Sequence, residues 1–275
     1  MTDIIVVSEL EGSENLSDAI AMYREVFALR DDDPAPSPRL LAALVRNGGI
    51  ALGAYVGGEL AGFTYGFLGI DQGCTGQVAA LYHYMELLVV RPDRRSTGVG
   101  RALMYRMRDI ALTRGLGTIR WAYDPLRTDN AYFYLDVLAA RGCDFVPNFY
   151  GIENIGRDRG RPTDRIIVQW EVAGYTRRWP DPPPGLVVGS PVTDPRADIE
   201  TVLLAIPTDC DHVRQDVSCD LCCRIRGTLR ALITVGFQPV SCRRTADDVA
   251  VYRLVADPAL RSSDRHAAPH QSGPS

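Results

Sequence analysis

The sequence from Leu87 to Leu103 reads LLVVRPDRRSTGVGRAL and contains the main indications of the fold. Its first four residues are apolar and suit a strand, and the Arg-rich, glycine-containing turn that follows leads into an amphipathic helix. Such a turn presents free backbone N–H groups at the N-terminus of a helix, where a phosphate group binds well. We therefore expect a strand, a phosphate-binding turn and a helix in this order.

The composition indicates a soluble globular protein. Of the 275 residues, 46% are hydrophobic and 23% are charged, and the formal net charge is -4. This weak and mixed charge argues against nucleic-acid binding. Because the sequence shows neither a secretion signal nor an apolar run of about eighteen residues, we expect no membrane segment and a cytoplasmic protein.

All 30 basic residues are arginines, because the sequence contains no lysine. A phosphate-binding GxxxxGK[ST] loop, a Schiff-base lysine and a kinase-type catalytic lysine all require that residue. The turn near Gly98 is therefore not a loop of that nucleotide-binding class.

The seven cysteines are an odd number in a sequence without a secretion signal, so a disulfide framework is not expected. Cys219, Cys222 and Cys223 share one face of a predicted helix, which is also an ordinary buried stripe. We predict buried thiols there and no metal site.

Hydrophobic periodicity predicts a mixed α/β sheet domain with the element order βααββ, a long strand, then αβαββ. The predicted boundaries are an α/β domain at residues 1–175, a Pro/Gly-rich linker at 176–198, a small α+β domain at 199–256 and a disordered tail at 257–275. The individual elements include a helix at Asn15–Leu29, a helix beginning at Ser37, a hairpin with a Gly57-Gly58 connection, a strand at Val78–Val90 and a helix at Asn130–Ala140 capped by Asp129.

The run Arg95-Ser96-Thr97-Gly98-Val99-Gly100 matches the R/Q-x-x-G-x-G/A signature and resembles the GNAT superfamily of N-acetyltransferases. Four other segments resemble a family of predicted GNAT acetyltransferases that carry a C-terminal extension. They are Trp121 to Leu126, Asn130-Ala131, Asn148 to Gly151 and Pro162 to Arg165, and Ile206-Pro207 matches within the extension.

The resemblance implies a mixed, mostly antiparallel sheet with splayed central strands, flanked by helices, plus a small α+β C-terminal unit. It also implies acetyl-CoA as co-substrate, with the pyrophosphate at the turn and the pantetheine arm paired to strand backbone. The residues implied for cofactor binding are Leu88, Val89, Val90, Arg95, Ser96, Thr97, Gly98, Val99, Gly100, Arg101 and Asn130.

Glu86 is the first candidate for the general base, since GNAT enzymes often place an acid or histidine nine positions before the signature arginine. Strand alternation predicts Tyr84, Glu86 and Leu88 on one face, with Tyr84 as a second catalytic candidate. It places His83 on the other face, as a packed histidine with satisfied nitrogens. The alternative for Glu86 is an ion pair with an arginine.

By resemblance, a tyrosine on the helix beginning near Asn130 would protonate the leaving thiolate. The family spacing falls on Leu135, so Tyr134 and Tyr132 both stay open, and Asn130 either bonds the pantetheine or caps its helix.

The predicted function is acetyl transfer from acetyl-CoA to a small-molecule or peptide amine by direct attack in a ternary complex. A non-catalytic acyl-CoA-binding regulatory module and an interaction protein centred on the C-terminal unit are the alternatives. Homodimerisation stays open.

Overall fold

The computed structural model describes residues 4–71, 80–153, 160–174, 178–208 and 220–256. The predicted tail at 257–275 and Cys74, Cys210 and Cys219 lie outside these residues. Within the described ranges, no helix combines the length and apolar character that crossing a membrane requires.

The first half of the chain follows the predicted order of strands and helices. Ser37 Oγ accepts a 3.1 Å hydrogen bond from the Leu40 N–H and caps the second helix. Gly57 and Gly58 have φ values of 60° and 87°, which allow the tight hairpin connection. The elements are β1 (Ile5–Glu9), α1 (Gly12–Val26), α2 (Pro38–Arg46), β2 (Ile50–Val56), β3 (Glu59–Asp71), β4 (Ala80–Val90), a short 3-10 turn (Pro92–Arg94) and α3 (Val99–Thr113).

The middle of the chain departs from the prediction at the helix expected at Asn130–Ala140, which instead spans Thr128–Val137 and ends as a π segment. The helix begins at Thr128, and Asp129 therefore lies in its first turn and does not cap it. Instead, the Asp129 carboxylate accepts a 3.0 Å hydrogen bond from Arg244. The elements are β5 (Thr118–Tyr123), α4 (Thr128–Tyr132) continuing as a π segment (Phe133–Val137), β6 (Arg141–Val146), β7 (Ile152–Glu153), β8 (Arg161–Pro162) and β9 (Arg165–Glu171).

The main sheet has seven strands in the order β1-β2-β3-β4-β5-β9-β6. Every neighbouring pair is antiparallel except β4 and β5, which are parallel. Helix α3 packs on one face, and α1 and α2 pack on the other, so each face has its own hydrophobic cluster. The predicted mixed, mostly antiparallel sheet flanked by helices is confirmed.

The C-terminal part forms a second sheet in the order β10-β11-β13-β12, with one helix. Its first strand lies inside the region predicted to be linker, so that prediction is wrong for residues 191–193. This short edge strand pairs with β11 and could not be distinguished from loop by composition alone. The elements are β10 (Pro191–Thr193), β11 (Thr201–Pro207), α5 (Asp220–Thr234), β12 (Phe237–Ala246) and β13 (Val249–Ala256).

The second sheet packs directly on the first unit. One hydrophobic cluster contains buried residues of both sheets. At the contact, the Tyr123 and Tyr252 hydroxyl oxygens are 3.2 Å apart, and Tyr252 donates a 2.8 Å hydrogen bond to the Pro125 carbonyl. Both tyrosine rings are buried, so this contact is part of a continuous core.

Candidate active site

Strands β4 and β5 separate after a short parallel contact. They pair only at His83 with Ile119 and at Tyr84 with Arg120, after which β5 continues beside β9. Residues 87–90 of β4 pair with β3 on one side and with no strand on the other among the described residues. A free strand edge of this kind can pair with an extended chain of amides such as a pantetheine arm.

The turn after β4 exposes the N-terminus of α3. Gly98 has a φ of 98°, in the left-handed region that favours glycine, and Ser96 also has a positive φ of 60°. The Ala102 N–H bonds to the Gly98 carbonyl at 2.9 Å, so the N–H groups before it have no acceptor within the helix. Such groups favour an anion at this end of the helix.

The two arginines that flank the turn add positive charge. Arg95 and Arg101 are exposed, and neither forms an ion pair with any residue that the structure describes. Thr97 is held by a 2.7 Å hydrogen bond from its hydroxyl to the Arg94 carbonyl. The predicted phosphate-binding residues are therefore brought together at one surface, where they fit a pyrophosphate.

Gly100 lies beside a side chain that the sequence analysis did not identify. A Cβ added at Gly100 would be 3.6 Å from Val90 Cγ2, 3.7 Å from Phe133 Cζ and 3.9 Å from Leu88 Cδ2. Phe133 of the π segment therefore reaches the first turn of α3 and the end of β4. We call the surface that Leu88, Val90, Gly100 and Phe133 form between α3 and the π segment the α3 groove. Leu88 and Val90 are half-buried, and Val89 is buried on the opposite face.

Glu86 occupies a β-bulge in β4. Tyr65 pairs with Leu87 and Gly66 pairs with Met85, so Glu86 is the extra residue on its strand. A bulge changes the direction of side chains, and it is frequent next to active sites. The predicted base therefore lies where β4 turns away from regular pairing, close to the point at which β4 and β5 separate.

The bulge also corrects the predicted faces of β4. Leu88 packs with Met85 in the cluster under α3, whereas Leu87 packs in the cluster under α1 and α2. Regular alternation would have placed Met85 and Leu87 together. The prediction that Tyr84, Glu86 and Leu88 share one face is therefore wrong, because the extra residue shifts the alternation by one position.

Two tyrosines, Tyr65 and Tyr84, lie near Glu86. Burial, with the nearby charge of Glu86, raises the pKa of Tyr65. Burial also raises the pKa of Tyr84, with smaller contributions from Tyr150 and Glu86. The ring of Tyr84 lies 5.4 Å from that of Phe67. Both hydroxyls are therefore neutral near pH 7.

The loop between β6 and β7 brings Tyr150 to this region. Thr163 is fully buried and anchors the loop: its hydroxyl accepts from the Tyr150 N–H and donates to the Gly151 carbonyl, both at 2.8 Å. Asp164 Oδ1 accepts a 2.9 Å bond from the Asn148 N–H. The segments containing Asn148 and Thr163, which carried part of the family resemblance, therefore lie together as one anchored turn.

Tyr134 lies in an aromatic cluster between α4 and β5. Its ring centroid is 5.0 Å from Trp121, 5.6 Å from Tyr123 and 5.4 Å from Phe133. Burial raises its pKa, so the phenol holds its proton at neutral pH. Tyr132 is 48% exposed on the same helix, and Asn130 is also exposed.

His83 is packed as expected, but the prediction of satisfied nitrogens is wrong. Its ring is fully buried, and neither nitrogen has a hydrogen-bond partner among the described residues. Burial, with a smaller effect of Arg114, lowers its pKa from 6.5 to about 4. A buried neutral imidazole of this kind is a poor proton donor at pH 7.

Among the described residues, no cluster of three or more His, Cys, Asp or Glu side chains could hold a metal ion. Cys222 is buried and Cys223 is exposed, while Cys219 lies outside the described ranges.

Residues 15–136 match the family model described as the acetyltransferase (GNAT) family. These residues contain the divergent strands, the bulge and the α3 groove described above. They form a GNAT acetyltransferase domain, and the predicted family is confirmed at this level.

A search of the curated proteins found no match. Solved structures that are similar to this chain include the following three. Ribosomal-protein-S18-alanine N-acetyltransferase from Escherichia coli has 17% identity and a TM-score of 0.46, over 65% of this chain and 100% of that chain. Arabidopsis thaliana NAA60 with a bisubstrate analogue has 16% identity and a TM-score of 0.46, over 61% and 98%. Salmonella typhimurium yncA with its cofactor acetyl-CoA has 17% identity and a TM-score of 0.47, over 65% and 98%.

Proposed function

We propose that the protein transfers an acetyl group from acetyl-CoA to an amine. The observation that carries this proposal is the free β4 edge at residues 87–90, which leads through a short turn to the exposed N-terminus of α3. The strand edge suits the amides of the pantetheine arm, and the helix N-terminus suits the pyrophosphate. The family match of residues 15–136 supports the same co-substrate.

The reaction is a direct attack in a ternary complex. The neutral amine nitrogen attacks the thioester carbonyl carbon, and the carbon–sulfur bond then breaks to release CoA thiolate. One proton leaves the amine and one proton must reach the thiolate, so the reaction needs a base and an acid. Backbone N–H groups near the bulge are suited to stabilise the tetrahedral oxyanion.

Glu86 is the proposed base, acting directly or through water. Its position at the bulge places a carboxylate at the junction of the free edge and the tyrosine-lined region. Tyr84 would orient the amine or the water. Tyr134 is the proposed acid, since its phenol keeps its proton at neutral pH and lies on the helix beside β5.

The test is release of CoA thiol by the full chain with acetyl-CoA and a panel of amino acids, small amines and peptide N-termini. We expect release that depends on one class of amine, together with saturable acetyl-CoA binding. Failure to bind acetyl-CoA would overturn the proposal.

A non-catalytic acyl-CoA-binding module is the second candidate. The packing of Tyr134 among Trp121, Tyr123 and Phe133 favours this candidate. A tyrosine packed on several sides can serve only to stabilise the core, without a role in proton transfer. Tight acetyl-CoA binding without transfer to any amine would select this candidate.

A further inference from the structure

Asp136, on the π segment, connects the α3 groove to the second sheet. Its Oδ1 accepts hydrogen bonds from Ser241 Oγ at 2.8 Å and from Arg243 Nε at 2.6 Å. Its Oδ2 accepts a 2.8 Å bond from the Cys242 N–H. The side chain is only 4% exposed, so three donors on one strand hold a buried carboxylate.

The π segment depends on outside contacts for its position. Helix α4 has five residues and the π segment has another five. A helix of this total length is not stable on its own and needs packing against other elements. Segments of π-helix are rare in proteins, and those that do occur are often found at functional sites. Because Asp136 follows Phe133 by one turn, the bonds to Asp136 also fix the ring that lines the α3 groove.

We propose that Asp136 is a positioning residue for acetyl-CoA binding, and that strand β12 is therefore part of the cofactor site. By attaching the π segment to Ser241, Cys242 and Arg243, Asp136 holds Phe133 beside Gly100 and sets the width of the α3 groove. This inference rests on the proposed function, since it requires acetyl-CoA to lie in that groove.

The chain offers a matched control on the same two elements. Arg244 of β12 pairs with Asp129 of α4 at 3.0 Å, but these side chains are 57% and 84% exposed. An exposed pair contributes little to the position of a helix, whereas a buried carboxylate with three donors contributes much. We therefore expect loss of the Asp136 contacts to weaken acetyl-CoA binding and loss of the Asp129–Arg244 pair to leave it nearly unchanged.

The experiment measures acetyl-CoA affinity by titration calorimetry for the wild-type chain, Asp136→Asn and Arg244→Ala. Asparagine keeps the size of the side chain but turns an NH₂ group toward one of the three donors. We expect Kd to rise about ten-fold for Asp136→Asn and to change less than about two-fold for Arg244→Ala. Wild-type affinity in a folded Asp136→Asn protein would overturn the inference, whereas absence of binding by the wild type would overturn the proposed function itself.

A second variant and a kinetic measurement separate positioning from general destabilisation. If Asp136→Asn does not fold, Ser241→Ala removes one donor only and should weaken acetyl-CoA binding about three-fold. Wild-type affinity in Ser241→Ala would then overturn the inference. With an accepted amine, KM for acetyl-CoA should rise about ten-fold. Any fall in kcat at saturation should be smaller than that caused by removing the Tyr134 hydroxyl, because the π segment keeps this phenol. A fall in kcat with unchanged KM would contradict the inference.

Discussion

Arg226 Nε lies 3.6 Å from Asp164 Oδ2, and this ion pair joins helix α5 to the residue that directly precedes β9. The other oxygen of Asp164 accepts the Asn148 N–H, so the arginine acts on the carboxylate that closes the turn before Tyr150. Both side chains are mostly buried, at 18% and 15% exposure. The second part of the chain therefore contacts both the π segment, through Asp136, and Asp164, which holds the turn before Tyr150.

We expect Arg226→Ala to raise KM for the amine about three- to ten-fold, since a partly buried ion pair that loses one partner loosens the Asn148 turn. Acetyl-CoA affinity should stay unchanged. Steady-state kinetics with varied amine, together with calorimetry, check both statements. Arg224→Ala is the control, because Arg224 pairs with Asp220 on the exposed side of the same helix. Equal effects of the two variants would refute a specific role for Arg226.

Glu86→Gln should lower kcat about 100-fold or more while acetyl-CoA affinity is retained, because glutamine cannot accept the proton of the amine. Stopped-flow or steady-state thiol release measures the rate, and calorimetry measures the affinity. A variant with the wild-type rate and pH profile would remove Glu86 from the role of base.

Tyr134→Phe should lower kcat about ten-fold or more, since phenylalanine fills the aromatic cluster but has no proton for the thiolate. Tyr132→Phe should keep the wild-type rate, because Tyr132 is half-exposed outside that cluster. A loss of rate in Tyr132→Phe alone would assign the acid to Tyr132. Wild-type rates in both variants would leave the thiolate to be protonated by water.

Gly98 and Gly100 should respond differently to alanine. Gly98→Ala places a Cβ at a φ of 98°, so we expect a loss of about 1–2 kcal/mol in the free energy of unfolding. Gly100→Ala adds only ordinary contacts inside a helix, so stability should hold or rise by about 0.5 kcal/mol, while the methyl group reduces acetyl-CoA affinity.

Thermal unfolding and calorimetry separate these two effects. Gly117→Ala is the control, because no atom of a described residue lies within 4 Å of its added Cβ and it requires no positive φ. Unchanged affinity in Gly100→Ala would argue against a phosphate close to the first turn of α3.

The burial of His83 should make the protein less stable in acid. Its folded pKa is about 4 and its ordinary value is 6.5, so the unfolded chain binds the proton first as pH falls. The contribution of neutral His83 to the free energy of unfolding is fully present above pH 6.5. About 3 kcal/mol of it is lost as the pH falls from 6.5 to 4.

Urea unfolding of the wild type and His83→Gln across this range checks the effect. The free energy of unfolding of His83→Gln should depend less on pH between 6.5 and 4 than that of the wild type, whatever the absolute stability of the variant. Parallel slopes in the two proteins would show that the pKa of His83 is the same in the folded and unfolded states.

The sequence alone determined the local structure around the signature turn. The glycines, the arginines and the apolar run at residues 87–90 specify a strand, an exposed turn and a helix through short-range rules of backbone conformation and periodicity. The same rules predicted the Ser37 cap and the Gly57-Gly58 hairpin, which the structure confirms.

Only the tertiary structure decided which distant residues meet. The bulge at Glu86 arises from pairing with β3, so strand alternation could not reveal it. Asp136 and Arg226 lie next to the apolar residues of their helices in the sequence. This position predicts that the charge is buried, but it does not predict which residue it contacts. Their partners lie on other elements, brought close by packing of the two sheets, and a one-dimensional pattern carries no information about that contact.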